Sequence, residues 1–298
     1  IPPGEFMMGS TAGQIEEALK YDDPNDKIWR ACVKSESPQH KVILTRPIYV
    51  GLHEVTQAEF EKVSGQNPSH FSATGGGKDL LANTDAQSHP VETVSWNDAA
   101  EFCVKLSQLE KYKPFYFRSG ETVTPLVGTG YRLPTEAEWE FACRSGTTTK
   151  YWFGDNDEEL KTAAWILANS AGRTHAVGDL KPNPFGLFDV HGNVWEWVQD
   201  GWDQTNYEQS SVKPAVDPVG PSAVEPLRVL RGGVWFHPAS PCYSSSRHAY
   251  FQLGRLHLFG FRVLLPVDAV RQTIASGNLA GDPDREVAWW ALTMGGEV

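Results

Sequence analysis

The sequence is poor in cysteine, in positive charge and in long hydrophobic runs. Four cysteines in 298 residues are too few and too scattered for a disulfide scaffold or a CxxC metal site. Lysine and arginine total 26 against 37 aspartates and glutamates, a net charge of −11 that disfavours nucleic acid and anionic membranes as partners. No apolar run reaches the roughly 18 residues that a membrane-spanning helix needs.

Common catalytic motifs are absent as well. The chain contains no HExxH, GxSxG or GxxxxGK[ST] string, and Gly128-Thr129-Gly130 lacks the third glycine and the acidic partner of a dinucleotide-binding motif. These absences weigh against hydrolase and nucleotide-binding functions.

Tryptophan, glycine and proline are abundant, at 11, 27 and 20 residues. Frequent turn formers between large aromatic residues predict an irregular α+β fold with short strands, few short helices and long loops. Three short helices are expected, each preceded by a capping residue: Thr56, Ser95 and Thr135. The polar residues 11–40 are expected to form a surface excursion.

Neither an internal repeat nor a linker divides the chain, so the sequence predicts one domain over residues 1–266. Residues 267–298 form a tail, in which Val287 to Leu292 follows Asp282-Pro283 as a capped helix would. Cys103 and Cys143 fall within helix-like segments, where a buried thiol in the core is the ordinary explanation.

The stretch from Asp189 to Trp197 has the residues of a calcium-binding turn. Calcium prefers oxygen ligands, and a tight turn at Gly192 can bring the carboxylates of Asp189 and Glu196 close to backbone carbonyls of Gly192 and Val194. The spacing does not match an EF-hand. The alternative is a turn whose carboxylates pair with arginines and whose two tryptophans belong to the core.

Segment 236–258 has the composition of a binding surface. It contains no Asp, Glu or Lys in an acidic protein, and its aromatic, His and Ser residues follow neither strand nor helix spacing. Such side chains combine large contact area with adaptable hydrogen bonding, as in antibody paratopes. We therefore predict that Tyr250, Phe251, His237 and Tyr243 are exposed side by side. The full predicted ligand-binding set is Trp235, Phe236, His237, Pro238, Ser240, Pro241, Tyr243, Ser246, His248, Tyr250, Phe251, Leu256, His257 and Leu258.

In order along the chain, the strings IPPGEFMMGS, YRLPTEAEWEFA, NPFGLFDVHGNVWEW, RVLRGGVW and GFRV resemble the formylglycine-generating enzyme (sulfatase-modifying factor) family. The resemblance implies an irregular C-type-lectin-like fold. It also implies structural calcium at Asp189, Gly192, Val194 and Glu196. A second family calcium site would begin at Asn169 and Ser170, but the acidic loop that completes it is absent here.

The enzymes of this family oxidise a substrate cysteine to formylglycine with copper held by two cysteines. The corresponding positions here are His237 and Cys242, so one of the two thiolates that soft Cu(I) favours is replaced by imidazole. The alternative function, a copper-dependent formylglycine-generating or related oxidase acting on a peptide cysteine, would rest on this pair.

The RVLRGGVW and GFRV strings are also similar to the ends of the variable region in variable proteins of diversity-generating retroelements. This resemblance places a variable region at residues 234–262 and favours a non-catalytic ligand-binding protein, with a protein or cell-surface ligand as partner. We expect a monomer, surface-displayed or secreted if it binds such a ligand and cytoplasmic otherwise. A third hypothesis is a scaffold domain whose aromatic surface packs on a partner chain.

Overall fold

Short elements joined by long loops make up the fold, as the sequence predicts. The computed structural model describes residues 1–20, 26–81, 84–210, 212–221 and 226–275. Its α-helices are α1 Ala12–Ala18, α2 Lys27–Ser35, α3 Gln57–Ser64, α4 Trp96–Leu109, α5 Glu136–Arg144, α6 Asn206–Ser210 and α7 Val267–Ala275. Its strands are β1 Gly4–Met8, β2 His40–Leu44, β3 Ile48–Val50, β4 Tyr116–Ser119, β5 Thr122–Pro125, β6 Trp195–Gly201, β7 Ala215–Val216, β8 Leu227–Arg231, β9 Arg247–Phe251, β10 Phe259–Gly260 and β11 Leu264–Pro266.

The three predicted helices are confirmed as α3, α4 and α5. Thr56, Ser95 and Thr135 are their N-caps, and each forms a full capping box with the residue three positions on. In α3, the Glu59 amide donates to Thr56 Oγ1 at 3.2 Å, and a Glu59 carboxylate oxygen accepts from the Thr56 amide at 2.7 Å. Two otherwise unpaired backbone donors are satisfied reciprocally, so each helix start is determined locally.

Residues 11–40 are more than a surface excursion, which corrects the sequence-based interpretation. They contain α1 and α2, whose buried Ile15, Ala18 and Val33 pack together. Asp26 caps α2 by accepting from the Trp29 amide at 2.9 Å. The polar residues that dominate this stretch concealed the narrow apolar stripe by which α2 packs on strand β9.

A four-stranded sheet of order β10-β6-β8-β9 organises the C-terminal half of the chain. Strands β6 and β8 are antiparallel, as are β8 and β9, whereas β10 runs parallel to β6. The register of β8 and β9 pairs Leu227 with Phe251 and Arg231 with Arg247. The second half of segment 236–258 therefore begins with an edge strand, β9. Smaller sheets pair β1-β2-β7, β11-β3 and β4-β5.

Large aromatic residues fill the core. Trp96, Trp195 and Trp197 are fully buried, and the Trp96 and Trp197 indole nitrogens donate to the Val198 and Val94 carbonyls at 2.7 and 3.0 Å. All four cysteines are buried and unpaired, which confirms the core prediction for Cys103 and Cys143. Within the described ranges, no helix is long and apolar enough to cross a bilayer. The predicted helix at Val287 to Leu292 lies outside the described residues.

Buried ion pairs connect β8 and β9 to helix α5. The Arg247 guanidinium donates twice to the Glu136 carboxylate, both times at 2.7 Å, and lies 4.5 Å from the centroid of Trp202. Arg231 pairs with Glu140, which also accepts from Arg144 at 2.8 Å. Because paired charges avoid the penalty of an isolated buried ion, both ends of the connection between β8 and β9 are held to one helix.

Removing one partner of this network should destabilise the fold strongly. The substitution Glu136→Gln leaves the Arg247 guanidinium buried without a counter-charge, and we expect it to lower the free energy of unfolding by about 3–5 kcal/mol. The matched control is Arg255→Gln, because Arg255 also pairs twice with a carboxylate, Asp98, but its side chain is 47% exposed. The control should cost less than about 1 kcal/mol. Urea unfolding measures both, and equal losses would show that burial of the Arg247 pair does not matter.

Candidate functional site

An open groove lies between helix α2 and strand β9, with a volume of about 830 Å³. Its walls come from parts of the chain that are far apart in sequence, and most of its side chains are apolar or aromatic. The lining residues are Asp26, Lys27, Ile28, Trp29, Ala31, Cys32, Trp202, Leu227, His237, Pro238, Ser240, His248, Ala249, Tyr250 and Phe251. This volume falls within the range of small-molecule and side-chain binding sites.

Two histidines and a tryptophan form an aromatic cluster in this groove. The Trp29 ring centroid lies 6.4 Å from that of His237 and 6.3 Å from that of His248. Beneath them, the buried Trp195 ring contacts both imidazoles, at 6.2 and 5.7 Å. The Cys32 sulfur lies 3.4 Å from His248 Nδ1 and ties α2 to β9. The cluster is therefore held from the core side and from the helix side.

The outer walls of the groove expose large apolar side chains. Ile28 of α2 is 71% exposed and Phe251 of β9 is 59% exposed. Tyr250 is half-buried, because its ring packs against Phe259 at 4.9 Å between centroids. An exposed apolar edge above a half-buried aromatic cluster is a common arrangement at interaction sites.

Six of the predicted ligand-binding residues line this groove: His237, Pro238, Ser240, His248, Tyr250 and Phe251. Phe236 is also exposed and lies beside them, with its ring 6.2 Å from that of His237. Of the four residues expected side by side, His237, Tyr250 and Phe251 meet here, although only Phe251 is mainly exposed.

Trp235 and Ser246 are buried, which corrects their placement on the surface. Trp235 is 5% exposed, packs against Phe71 at 5.4 Å, and donates from its indole nitrogen to the His257 carbonyl at 3.2 Å. Ser246 is 1% exposed, and its carbonyl accepts from the Arg231 guanidinium. Both residues support the segment from its buried side. Composition alone does not distinguish this role from contact with a ligand.

Four further predicted residues lie outside the groove. Tyr243 is half-buried and faces Lys150, whose ammonium lies 5.1 Å from its ring centroid. Leu256, His257 and Leu258 are half-buried, and the His257 ring contacts His70 at 4.9 Å. The side chain of Pro241 lies outside the described residues. The segment therefore divides between the groove and two other environments.

The groove carries little net charge. Burial lowers the pKa of His248 to about 4 and also lowers the pKa of His237, so both imidazoles are neutral at pH 7. Burial raises the pKa of the Cys32 thiol to about 12, so it too is neutral. Among the described lining residues, the charged ones are the exposed Asp26 and Lys27 at the start of α2.

Helix α2 is the part of the site that sequence reasoning missed. Ile28, Trp29 and Cys32 are near one another on α2, and a capping aspartate stands just before them at Asp26. Helical spacing with a cap was the available signal, but residues 11–40 lack the composition that drew attention to segment 236–258. Their relevance appears only from contact with β9.

The turn at Asp189 keeps its carboxylates away from water. Asp189 and Glu196 are 2% and 0% exposed, and both Glu196 oxygens accept from the Arg262 guanidinium at 2.6 Å. Asp189 Oδ2 accepts from the Gly178 amide at 2.8 Å, while Oδ1 has no partner among the described residues. Glu196 thus adopts the arginine-paired arrangement that the sequence left as the alternative.

Comparison with known proteins places the chain in a family. A family sequence profile, described as "Sulfatase-modifying factor enzyme 1-like domain", matches residues 1–267. The chain belongs to this family.

Individual family relatives support the same assignment. Chaperone protein LppX of Paenibacillus barcinonensis is 31% identical over 229 residues, covering 65% of this chain and 71% of that protein. The formylglycine-generating enzyme of Streptomyces coelicolor is 29% identical over 294 residues, covering 81% of this chain and 79% of that protein. Among solved structures, Treponema denticola variable protein 1 is similar with a TM-score of 0.71 and 30% identity, covering 89% and 93% of the two chains. The sulfatase-modifying-factor family and its C-type-lectin-like fold are thereby established for this chain.

The donors present do not fit the copper site that the family resemblance implies at His237 and Cys242. Cys242 is fully buried, its thiol donates to the Pro238 carbonyl at 3.7 Å, and burial raises its pKa to about 12. Copper(I) favours a pair of thiolates, whereas only one of these two positions offers a sulfur, and that sulfur is engaged with a backbone carbonyl. Among the residues the structure describes, no group of three or more His, Cys, Asp or Glu side chains could hold a metal ion.

The four residues that the resemblance assigns to calcium do not fit it as a set either. Asp189 retains a free, buried oxygen, but the Glu196 carboxylate is already neutralised by Arg262, whose positive charge would repel a cation beside it. Calcium at Asp189, Gly192, Val194 and Glu196 stays a prediction of the resemblance, whereas Asn169 and Ser170 lack the acidic loop that would complete a second site.

The buried neutral state of His248 should make stability pH-dependent. The folded protein binds this proton only near pH 4, whereas the unfolded chain binds it near pH 6.5. The contribution of the neutral His248 imidazole to the free energy of unfolding is therefore fully present above pH 6.5 and is lost as the pH falls toward 4. The groups around this imidazole are His237, Asp26 and Cys32.

The free energy of unfolding should fall between pH 7 and pH 5 in the unsubstituted protein. We expect this fall to be about 2 kcal/mol smaller in His248→Gln. Comparing the change within each protein removes any constant effect of the substitution. Urea unfolding at the two pH values measures it. Identical losses in both proteins would show that His248 takes up its proton freely in the folded state.

Proposed function

We propose that this protein is a non-catalytic ligand-binding protein of the sulfatase-modifying-factor family that uses the groove between α2 and β9. The observation that carries the proposal is the groove itself, in which segment 236–258 presents His237, Pro238, Tyr250 and Phe251 at an open, aromatic surface. Rigid aromatic side chains give much contact area at low entropic cost, which suits them to binding.

The anchoring of the segment supports this proposal. Arg247, at the start of β9, is fully buried and paired with Glu136, and the Ser244 and Ser246 carbonyls accept from Arg231. The ends of the connection that carries His237 and Pro238 are therefore held by contacts that do not involve these side chains. In this proposal, exposed side chains of the segment such as Phe251 can be exchanged without loss of the fold.

The structural similarity to Treponema denticola variable protein 1 supports the same function. That likeness extends over 89% of this chain, so it includes the scaffold that carries the segment. In this proposal residues 234–262 form a variable region, and the partner is a protein on another cell or particle. Surface display or secretion would follow from that role.

Oxidation of a peptide cysteine receives less support. The formylglycine-generating enzyme of Streptomyces coelicolor shares 29% identity with this chain. In this chain, however, the thiol at one expected copper position is buried, and the other position is a histidine in the aromatic groove. No observation on the described residues favours the oxidase over binding.

The proposal can be tested by selecting binders from a displayed random peptide library against the whole protein. Enriched peptides are then titrated against the protein and two variants, Phe251→Ser and Phe117→Ser. Phe251 lines the groove at 59% exposure, and Phe117 is a matched control on β4 at 57% exposure. We expect Phe251→Ser to weaken binding roughly tenfold or more and Phe117→Ser to leave it unchanged within about twofold.

Two results would contradict the proposal. One is a selection that yields no peptide binding the folded protein. The other is a set of peptides whose affinity falls equally in both variants, because that pattern would indicate nonspecific adhesion to exposed phenylalanine. Unfolding curves for both variants check that the fold is intact.

A further inference from the structure

The groove between α2 and β9 has aromatic side chains on both walls. Trp29 stands on the helix side, and Tyr250 and Phe251 stand on the strand side, with His237 and His248 between them. Ring pairs in edge-to-face or offset contact stabilise each other beyond the effect of their buried area. A ring entering from solvent would meet such partners on two sides.

Helix α2 contributes side chains to the binding groove as well as to the scaffold. Its inner face is tied down by buried Cys32 and Val33. Its outer face leaves Ile28 71% exposed at the mouth of the groove. A large aliphatic side chain that exposed, directly beside an aromatic cleft, gains most by covering a bound apolar group.

The charges around the groove disfavour an ionic guest. The two arginines of segment 236–258 already pair with carboxylates, Arg247 with Glu136 and Arg255 with Asp98. The charged lining residues, Asp26 and Lys27, are exposed at the start of α2, and Asp26 also caps the Trp29 amide. A charged group that enters among the imidazoles and rings would lose hydration and would meet only these two solvent-screened charges among the described lining residues.

We infer that the groove takes an uncharged aromatic side chain of a protein partner, held between Ile28 and Trp29 of α2 and Tyr250 and Phe251 of β9. This inference rests on the proposed binding function and adds to it the chemistry of the bound group and the contribution of α2. Protein partners commonly supply such anchors, because buried aromatic residues dominate interface energies.

Four small probes of similar size test the chemistry. p-Cresol presents a neutral ring, tyramine the same ring with a cation, 4-hydroxyphenylacetate the ring with an anion, and 4-methylcyclohexanol a saturated counterpart. Each is titrated into the full chain while side-chain indole NMR signals are followed. The Trp29 signal is assigned by its disappearance in Trp29→Phe. We expect p-cresol to shift the Trp29 signal and to bind at least roughly fivefold tighter than the other three.

Variants then locate the site. Ile28→Ser and Phe251→Ser change exposed side chains, so the fold should tolerate them, and each should weaken p-cresol binding roughly threefold or more. Phe117→Ser serves again as the control and should leave binding unchanged. If Phe251→Ser loses binding and Ile28→Ser does not, the proposed contact between Ile28 of α2 and the bound ring is wrong.

The outcomes separate this inference from the proposed function. Tighter binding of tyramine, 4-hydroxyphenylacetate or 4-methylcyclohexanol at the Trp29 signal would overturn the neutral aromatic guest while leaving the groove as a binding site. Failure of p-cresol to shift the Trp29 signal up to its solubility limit overturns the inference, even if selected peptides still bind through Phe251. Failure of both experiments would remove the proposed function as well.

Discussion

The structure depends on the buried pairing of Arg231 and Arg247 with helix α5. Arg231 ends β8, Arg247 begins β9, and both reach glutamates one turn apart on α5, Glu140 and Glu136. Two hydrogen bonds from the Arg247 guanidinium to the Glu136 carboxylate, together with the aromatic rings around Arg247, offset the desolvation of these ions. Both ends of the connecting loop are therefore held by contacts that do not involve the side chains exposed at its surface.

A second arginine site repeats this arrangement across the sheet. Arg262 binds both oxygens of Glu196 and also donates to the Phe188 carbonyl at 3.0 Å. It therefore joins the connection between β10 and β11 to the turn that the family resemblance assigns to calcium. Nearby Glu54 is fully buried with both oxygens unpartnered among the described residues, and burial together with Asp189 and Glu196 raises its pKa well above the ordinary value. The turn is thus held by the Arg262–Glu196 ion pair.

The candidate site joins a rigid scaffold to an uncharged surface. Cys32 and His248 are 216 residues apart in sequence and touch at 3.4 Å, so the groove exists only when α2 is docked on β9. Burial against Trp29 and Trp195 fixes the position of its imidazoles and thiol. The same burial disfavours their charged forms and keeps them neutral. Selectivity for a neutral guest follows from the packing that builds the site.

The sequence by itself determined the capped helices α3, α4 and α5, the aromatic core and the unusual composition of segment 236–258, because capping and burial preference act within a few residues. Tertiary structure alone decided which residues of that segment face solvent. Ser246 points inward, as does Trp235 just before the segment, Tyr243 faces Lys150, and α2 supplies the opposite wall. An irregular loop has no repeating period from which its faces can be read, and the contact of α2 with β9 spans too much sequence for any local pattern to record it.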